Sequence, residues 1–186
     1  MLGLAFVSCS DDGETEEEKW ESRNTEYFKK AYDTAIAQQG NGSHWAVIKS
    51  VQRNPNSTLA DDCIVVEKLD SVPGNYLKGS PLQTDSVRVH YKGMNIDGAV
   101  FDRSWNGDYD LTKMIPASFI VSGVVEGFST ALQYMHVGDR WRVIIPQKLG
   151  YGESNTSTLI PAYSTLVFDM TLDSFGKPGK PMPSYK

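Results

Sequence analysis

Cysteine is scarce in this chain of 186 residues: Cys9 and Cys63 are the only two, too few for a disulfide framework. Histidine is nearly as sparse. His44, His90 and His136 are scattered, and none lies at metal-ligand spacing from Cys63, so the sequence offers no ligand set for a zinc-type site. A basic excess is also missing. Six of the 23 acidic residues (Asp11, Asp12, Glu14, Glu16, Glu17, Glu18) precede the first base, Lys19, which leaves 17 acids against 18 bases in the rest. With a near-neutral body, no basic stripe and no aromatic-basic platform, nucleic acid is excluded as a partner. What is present is a core: 40% hydrophobic and 11% aromatic residues are the proportions of a globular chain, not a disordered one. The length suits one well-buried domain with an extension.

The first nine residues, Met1-Leu2-Gly3-Leu4-Ala5-Phe6-Val7-Ser8-Cys9, are similar to the tail of a bacterial lipoprotein signal peptide: apolar, small towards the end and closed by a cysteine. There is no basic n-region and the apolar run is shorter than a full h-region. The resemblance implies lipidation of Cys9, and the following Ser10-Asp11-Asp12-Gly13-Glu14 is similar to a surface-export signal of lipoproteins in the Bacteroidetes. An ordinary N-terminus with an incidental cysteine and a solvated acidic linker would explain the same residues. Residues 1–23 are accordingly read as signal remnant and acidic linker. With Cys9 lipidated, Cys63 has no partner for a disulfide, and its β-rich surroundings, Cys63 to Leu69, make it a small buried hydrophobe.

Further along, Tyr27, Phe28, Ala31, Tyr32, Ala35 and Ile36 recur at helical spacing. This predicts an amphipathic helix over 24–40, with Asn24 as N-cap and Gly40 past the end, packed on the domain. His44 to Val51 and Asp62 to Leu69 read as strands, the second entering the main sheet. In Asp85 to Lys92, Val87, Val89 and Tyr91 alternate with Arg88, His90 and Lys92, the pattern of a half-buried strand with Tyr91 on the core face. His90 then falls on the opposite face, in a solvated or hydrogen-bonded role. Trp141, Val143 and Ile145, and Leu166, Phe168, Met170 and Leu172, alternate in the same way. Val125 to Met135 carries the one strong helical pattern of this region. The tail 176–186, rich in Pro, Gly and Lys, is expected to be mobile.

Six blocks, in order, carry a family resemblance: Val87-Arg88-Val89-His90-Tyr91-Lys92-Gly93 with Asp97-Gly98-Ala99-Val100-Phe101-Asp102; Val124-Val125-Glu126-Gly127-Phe128; Ala131-Leu132-Gln133-Tyr134-Met135; Val137-Gly138-Asp139-Arg140; Gly150-Tyr151-Gly152 with Ile160-Pro161; and Ser164-Thr165-Leu166-Val167-Phe168-Asp169. Together they resemble the FKBP-type peptidyl-prolyl cis-trans isomerases. The resemblance implies an α+β fold, a curved antiparallel β-sheet wrapped on one short α-helix, spanning 44–175 with the motifs in 85–175. It implies isomerisation of X-Pro bonds in proline-containing polypeptides, and macrolide ligands such as rapamycin and tacrolimus.

The chemistry needs no acid, base, nucleophile, metal or cofactor. An X-Pro bond must only be twisted, against a barrier of about 18–20 kcal/mol, and an apolar cavity favours the twisted amide, which has lost its charge separation. The resemblance implies that Tyr91, Phe101, Val124, Val125, Phe128, Tyr151, Ile160 and Phe168 line the proline pocket, that Asp102 and the Tyr151 hydroxyl supply polar contacts, and that the Ile160 N–H anchors a carbonyl. By pattern alone Phe101, Phe128 and Phe168 would be core residues, and the two roles are compatible. Asp102, beside several aromatics, is expected to bond a tyrosine hydroxyl such as that of Tyr91.

The chain departs from the family pattern in places. Phe128 stands where many members have Trp, which predicts a deeper pocket floor. The loop between Asp102 and Phe119 is enlarged and apolar, with Trp105, Tyr109, Leu111, Met114 and Ile115. It is expected to pack beside the pocket or to form an added protein-contact surface. The reading is a folding enzyme of the cell envelope, lipid-anchored to the outer membrane through Cys9, periplasmic or surface-exposed. The alternatives are a non-catalytic binding or chaperone module using the same groove, and a structural accessory of a membrane-surface assembly docking through the N-terminal helix.

Overall fold

A computed structural model describes residues 13–40, 42–70 and 79–182. Cys9, Ser10, Asp11 and Asp12 lie outside the described residues, as do the last four of the tail.

The N-terminal helix, α1 (Glu16–Gln38), begins eight residues before the expected Asn24. Its N-cap is Thr15. The Thr15 hydroxyl accepts from the Glu18 N–H while the Glu18 carboxylate accepts from the Thr15 N–H, a reciprocal capping box. Glu16, Glu17 and Glu18 put negative charge at the positive end of the helix dipole. The acidic run is therefore in part a helix start rather than a linker. Asn24 sits mid-helix and is buried; its amide is used elsewhere, as described below.

The strands are β1 (Trp45–Lys49), β2 (Cys63–Asp70), β3 (Ser86–Met94), β4 (Val100–Arg103), β5 (Ala117–Ile120), β6 (Arg140–Ile145) and β7 (Leu166–Gly176), with the short helix α2 (Glu126–Tyr134) between β5 and β6. All the strand pairings are antiparallel, in the order β1-β2-β6-β7-β3, and β3 ends the row by pairing with β4 at Lys92–Met94 and β5 at Ser86–Val89. Both early strands join the sheet: β2 pairs with β6, and β1 forms the edge.

Alternation sorts the two faces. Val87, Val89 and Tyr91, with Trp141, Val143, Ile145, Phe168, Met170 and Leu172, point to α2 and form one core with Phe128, Ala131 and Leu132. The helix lies very close to the sheet because residue 127 is glycine. A Cβ there would stand 2.3 Å from the Ile145 Cγ2.

The other face is also covered, in two parts. The C-terminal half of α1 packs Phe28 and Ala35 on Val65 and Ile144. The insert after β4 folds over the opposite end of that face. There the Tyr109 hydroxyl bonds the Thr171 hydroxyl at 2.7 Å, the Arg140 guanidinium stacks 3.8 Å from the Tyr109 ring centre, and the Lys92 ammonium stands over Trp105. His90, cross-strand neighbour of Thr171, is fully buried there and not solvated. Burial disfavours its charged form and lowers its pKa. The insert thus packs behind the pocket's sheet, not beside the pocket. Trp105 and Met114 are buried, while Leu111 and Ile115 remain exposed, Ile115 at the edge of a shallow cavity.

Candidate functional site

Nine expected site residues come from seven stretches of chain: Tyr91 from β3, Phe101 and Asp102 from β4, Val124 and Val125 ahead of α2, Phe128 in α2, Tyr151 after β6, Ile160 in the next loop, and Phe168 from β7. Tyr91, Phe128, Ile160 and Phe168 are buried in one cluster, against which Phe101, Val124 and Val125 pack partly exposed.

The rings meet edge to face. Phe128 and Phe168 have centroids 5.0 Å apart at 84°, Phe101 and Phe168 5.6 Å at 85°, and Tyr91 and Phe128 6.0 Å at 90°, the geometry favoured by aromatic quadrupoles. Phe119 belongs to this group too, 5.5 Å from Tyr91 and 6.0 Å from Phe128. It escaped the sequence reading because β5 is only four residues long, too short for alternation to register. Three aromatic rings therefore close on Phe128.

Gly93 makes the ring packing possible. A Cβ at this position of β3 would stand 2.5 Å and 2.7 Å from two carbons of the Phe101 ring and 2.7 Å from Phe168. The pocket wall thus rests directly on bare backbone.

A polar group marks the rim. The Tyr91 hydroxyl donates to the Asp102 carboxylate at 2.6 Å, the bond anticipated for an acid among aromatics. The second Asp102 oxygen accepts the Arg103 N–H at 2.8 Å, which orients the carboxylate. Burial first, and then the hydrogen bond to Asp102, drive the Tyr91 hydroxyl far above the usual tyrosine range, so it remains a donor. Tyr151 is 40% exposed and near enough to Tyr91 to add to that shift.

Ile160 behaves differently from expectation. Its side chain is buried in the cluster, but its N–H already donates to the Ser157 carbonyl at 3.0 Å and lies 3.2 Å from the Ser157 hydroxyl. The tight turn made by the Ser/Thr-rich stretch uses up the anchor assigned to it. The N–H of Val125, at the N-cap of α2, meets no acceptor among the described residues. It is left unpaired there, whereas the Ile160 N–H is not. Backbone groups of this kind carry no side-chain signature, so the sequence could not point to it.

Such a site can hold a compact apolar ring against aromatic edges, exclude water from it, and offer one donor and one carboxylate at the margin. Comparisons with known proteins agree with this arrangement. Residues 78–173 match the family model described as FKBP-type peptidyl-prolyl cis-trans isomerase. The Escherichia coli FKBP-type 22 kDa peptidyl-prolyl cis-trans isomerase is 48% identical over 92 residues, 50% of this chain and 42% of that protein. The Trypanosoma cruzi macrophage infectivity potentiator is 32% identical over 183 residues, 97% of this chain and 83% of that one. The crystal structure of FkpA from Escherichia coli superposes with a TM-score of 0.60 at 28% identity, covering 87% of this chain and 63% of that one. The chain thus spans under half the length of the 22 kDa relative.

Proposed function

The chain belongs to the FKBP-type peptidyl-prolyl cis-trans isomerases, and from that membership we propose that it catalyses cis/trans isomerisation of X-Pro bonds in polypeptides, in the pocket built on Tyr91, Phe101, Phe128, Ile160 and Phe168. The observation that carries this reading is the closed aromatic box with a hydrogen-bonded Tyr91–Asp102 pair at its rim. A pyrrolidine ring seated against Phe128 and Phe168 would leave its amide in an apolar setting. There the planar, charge-separated form is disfavoured relative to the twisted one. The Val125 N–H, directed by the start of α2, would hold one carbonyl while the bond turns. No group changes protonation state, and no bond is made or broken.

Macrolides such as rapamycin and tacrolimus, which present a similar carbonyl-flanked ring, are proposed ligands of the same pocket. The clients are proposed to be exported and cell-envelope proteins, with the domain held at the outer membrane by lipid on Cys9. The support for the anchor is the apolar run ending in that cysteine; among the described residues no helix is long and apolar enough to cross a membrane.

A protease-free isomerisation assay with a Leu-Pro peptide tests the activity. Acceleration over the uncatalysed rate, abolished by rapamycin, is the expected result. A folded protein that binds rapamycin and leaves the rate at background would instead be a binding module. For the anchor, Cys9→Ser in a full precursor should move the protein from membrane to soluble fractions, because stable attachment needs more than one acyl chain. Unchanged fractionation would refute lipidation at Cys9.

A further inference from the structure

We propose that the N-terminal half of α1 is a brace for the pocket loops, with Asn24 and Trp20 as positioning residues for isomerisation; the inference rests on the isomerase reading above. The two halves of α1 make different kinds of contact. Its C-terminal half is ordinary apolar packing of Phe28 and Ala35 on the sheet. Its N-terminal half buries an amide instead: Asn24 is 1% exposed, and a buried polar side chain is tolerated only when its hydrogen bonds are met.

Those bonds lead into the active-site loop. The Asn24 Oδ1 accepts the Thr165 N–H at 2.7 Å, and the Thr165 hydroxyl donates to the Asn24 carbonyl at 3.1 Å. Its Nδ2 donates to the Trp20 carbonyl at 2.8 Å, which fixes the orientation of the amide. One turn earlier, the Trp20 indole N–H donates to the Ser164 hydroxyl at 3.1 Å, and Ser164 in turn donates to the Pro161 carbonyl at 2.6 Å. Arg23, between them, pairs with Asp97 in the β3–β4 turn ahead of Phe101.

Immediately before the residues α1 holds, the loop is bent in a way that needs holding. Tyr163 has φ +62°, a left-handed conformation that a non-glycine residue keeps only where its surroundings impose it. In that conformation its N–H donates to the Gly152 carbonyl at 2.8 Å, next to Tyr151. The path from α1 therefore reaches both sides of the pocket, Ile160 through Pro161 and Tyr151 through Gly152. Beyond local turns and the Ser157–Ile160 bridge, neither loop has helix or strand of its own, so these bonds are what tie the two loops to the rest of the fold at this point. A displacement of about 1 Å in such groups can cost as much as ~100-fold in rate.

The test uses the full chain and a Leu-Pro peptide, with kcat/KM and unfolding midpoint measured for each variant. Asn24→Leu removes the acceptor for Thr165, Asn24→Asp keeps it while burying a charge, and Phe28→Leu weakens helix docking away from the loop. A brace predicts a loss in kcat/KM of about 10-fold for Asn24→Leu, recovery to within about 3-fold for Asn24→Asp despite no recovery of stability, and a change below about 2-fold for Phe28→Leu. Activity that follows stability alike in all three variants would overturn the proposal. Should Asn24→Leu fail to fold, Trp20→Phe, which deletes the bond to Ser164 while keeping a six-membered ring for Arg23, is read in its place, with a loss of about 3-fold expected and an unchanged rate counting against the brace. If the wild-type chain gives no acceleration, the isomerase reading fails on its own. Amide exchange then decides the brace: faster exchange at the Tyr163 N–H in Asn24→Leu but not in Phe28→Leu upholds it, and equal exchange overturns it.

Discussion

Adding one methyl group at Gly93 should separate the pocket wall from the strand that carries it. In Gly93→Ala the new Cβ would stand 2.5 Å and 2.7 Å from the Phe101 ring and 2.7 Å from Phe168, whereas carbon atoms rest at about 3.5–4.0 Å. Each ring must therefore retreat by about 1 Å. Phe168 is pinned edge to face by Phe128 and touches Tyr91, so most of the movement falls on the half-exposed Phe101. Overpacking of this kind costs about 1–3 kcal/mol, offset by about 0.5–1 kcal/mol because alanine loses less backbone freedom than glycine on folding. A net loss of about 1–2 kcal/mol is expected by denaturant titration. The rate should suffer more than the stability, with kcat/KM down by about 10- to 100-fold, because the displaced ring is a wall of the reaction pocket. Combining it with Phe101→Leu, which removes the obstructing ring, should give a stability loss smaller than the sum of the two single losses. A Gly93→Ala protein with wild-type stability and rate, or strict additivity with Phe101→Leu, would show that these rings do not rest on the backbone at this point.

Three further outcomes can be measured with the same assays. Phe128→Trp should destabilise the domain by about 1–2 kcal/mol and fail to tighten rapamycin binding, because three rings already surround Phe128 and the added volume has to be forced in; tighter binding at unchanged stability would contradict this. Tyr91→Phe should cost about 1 kcal/mol through the lost bond to Asp102; in the wild type this hydroxyl stays protonated, so kcat/KM should show no decline up to about pH 9.5 that Tyr91→Phe removes. His90 has its pKa lowered by burial, so below about pH 6.5 the unfolded chain binds a proton that the folded one resists and stability falls as pH drops. His90→Gln should flatten that slope by up to about 1.4 kcal/mol per pH unit in titrations between pH 7.5 and 5; an unchanged slope would remove His90 as its source.

The legible and illegible parts of this protein divide along a physical line. Strands β3, β6 and β7 could be read because one face of each is buried against α2, so Val87-Val89-Tyr91, Trp141-Val143-Ile145 and Phe168-Met170-Leu172 alternate cleanly. On the other face, the solvated alternative for His90 fails because residues distant in sequence, Trp105 and Tyr109, pack over that face, and no local period records a long-range cover. The start of α1 was misplaced for a related reason. Asn24 has the chemistry of an N-cap, but tertiary structure spends its amide on Thr165, and the cap falls to Thr15, whose partner three residues on lay in what looked like an acidic linker. In the site, the side chains that meet in the aromatic cluster were visible except for Phe119, down to the Tyr91–Asp102 bond. Otherwise, what escaped were contributions made by backbone: the bare strand at Gly93, the Val125 N–H, and the Ile160 N–H already taken by Ser157. A pocket that works by shape and dryness draws on main chain as much as on side chains. Residue identity therefore names its lining well, while the backbone donors proposed to hold the substrate's carbonyl, and the contacts by which α1 reaches the loops, appear only in three dimensions.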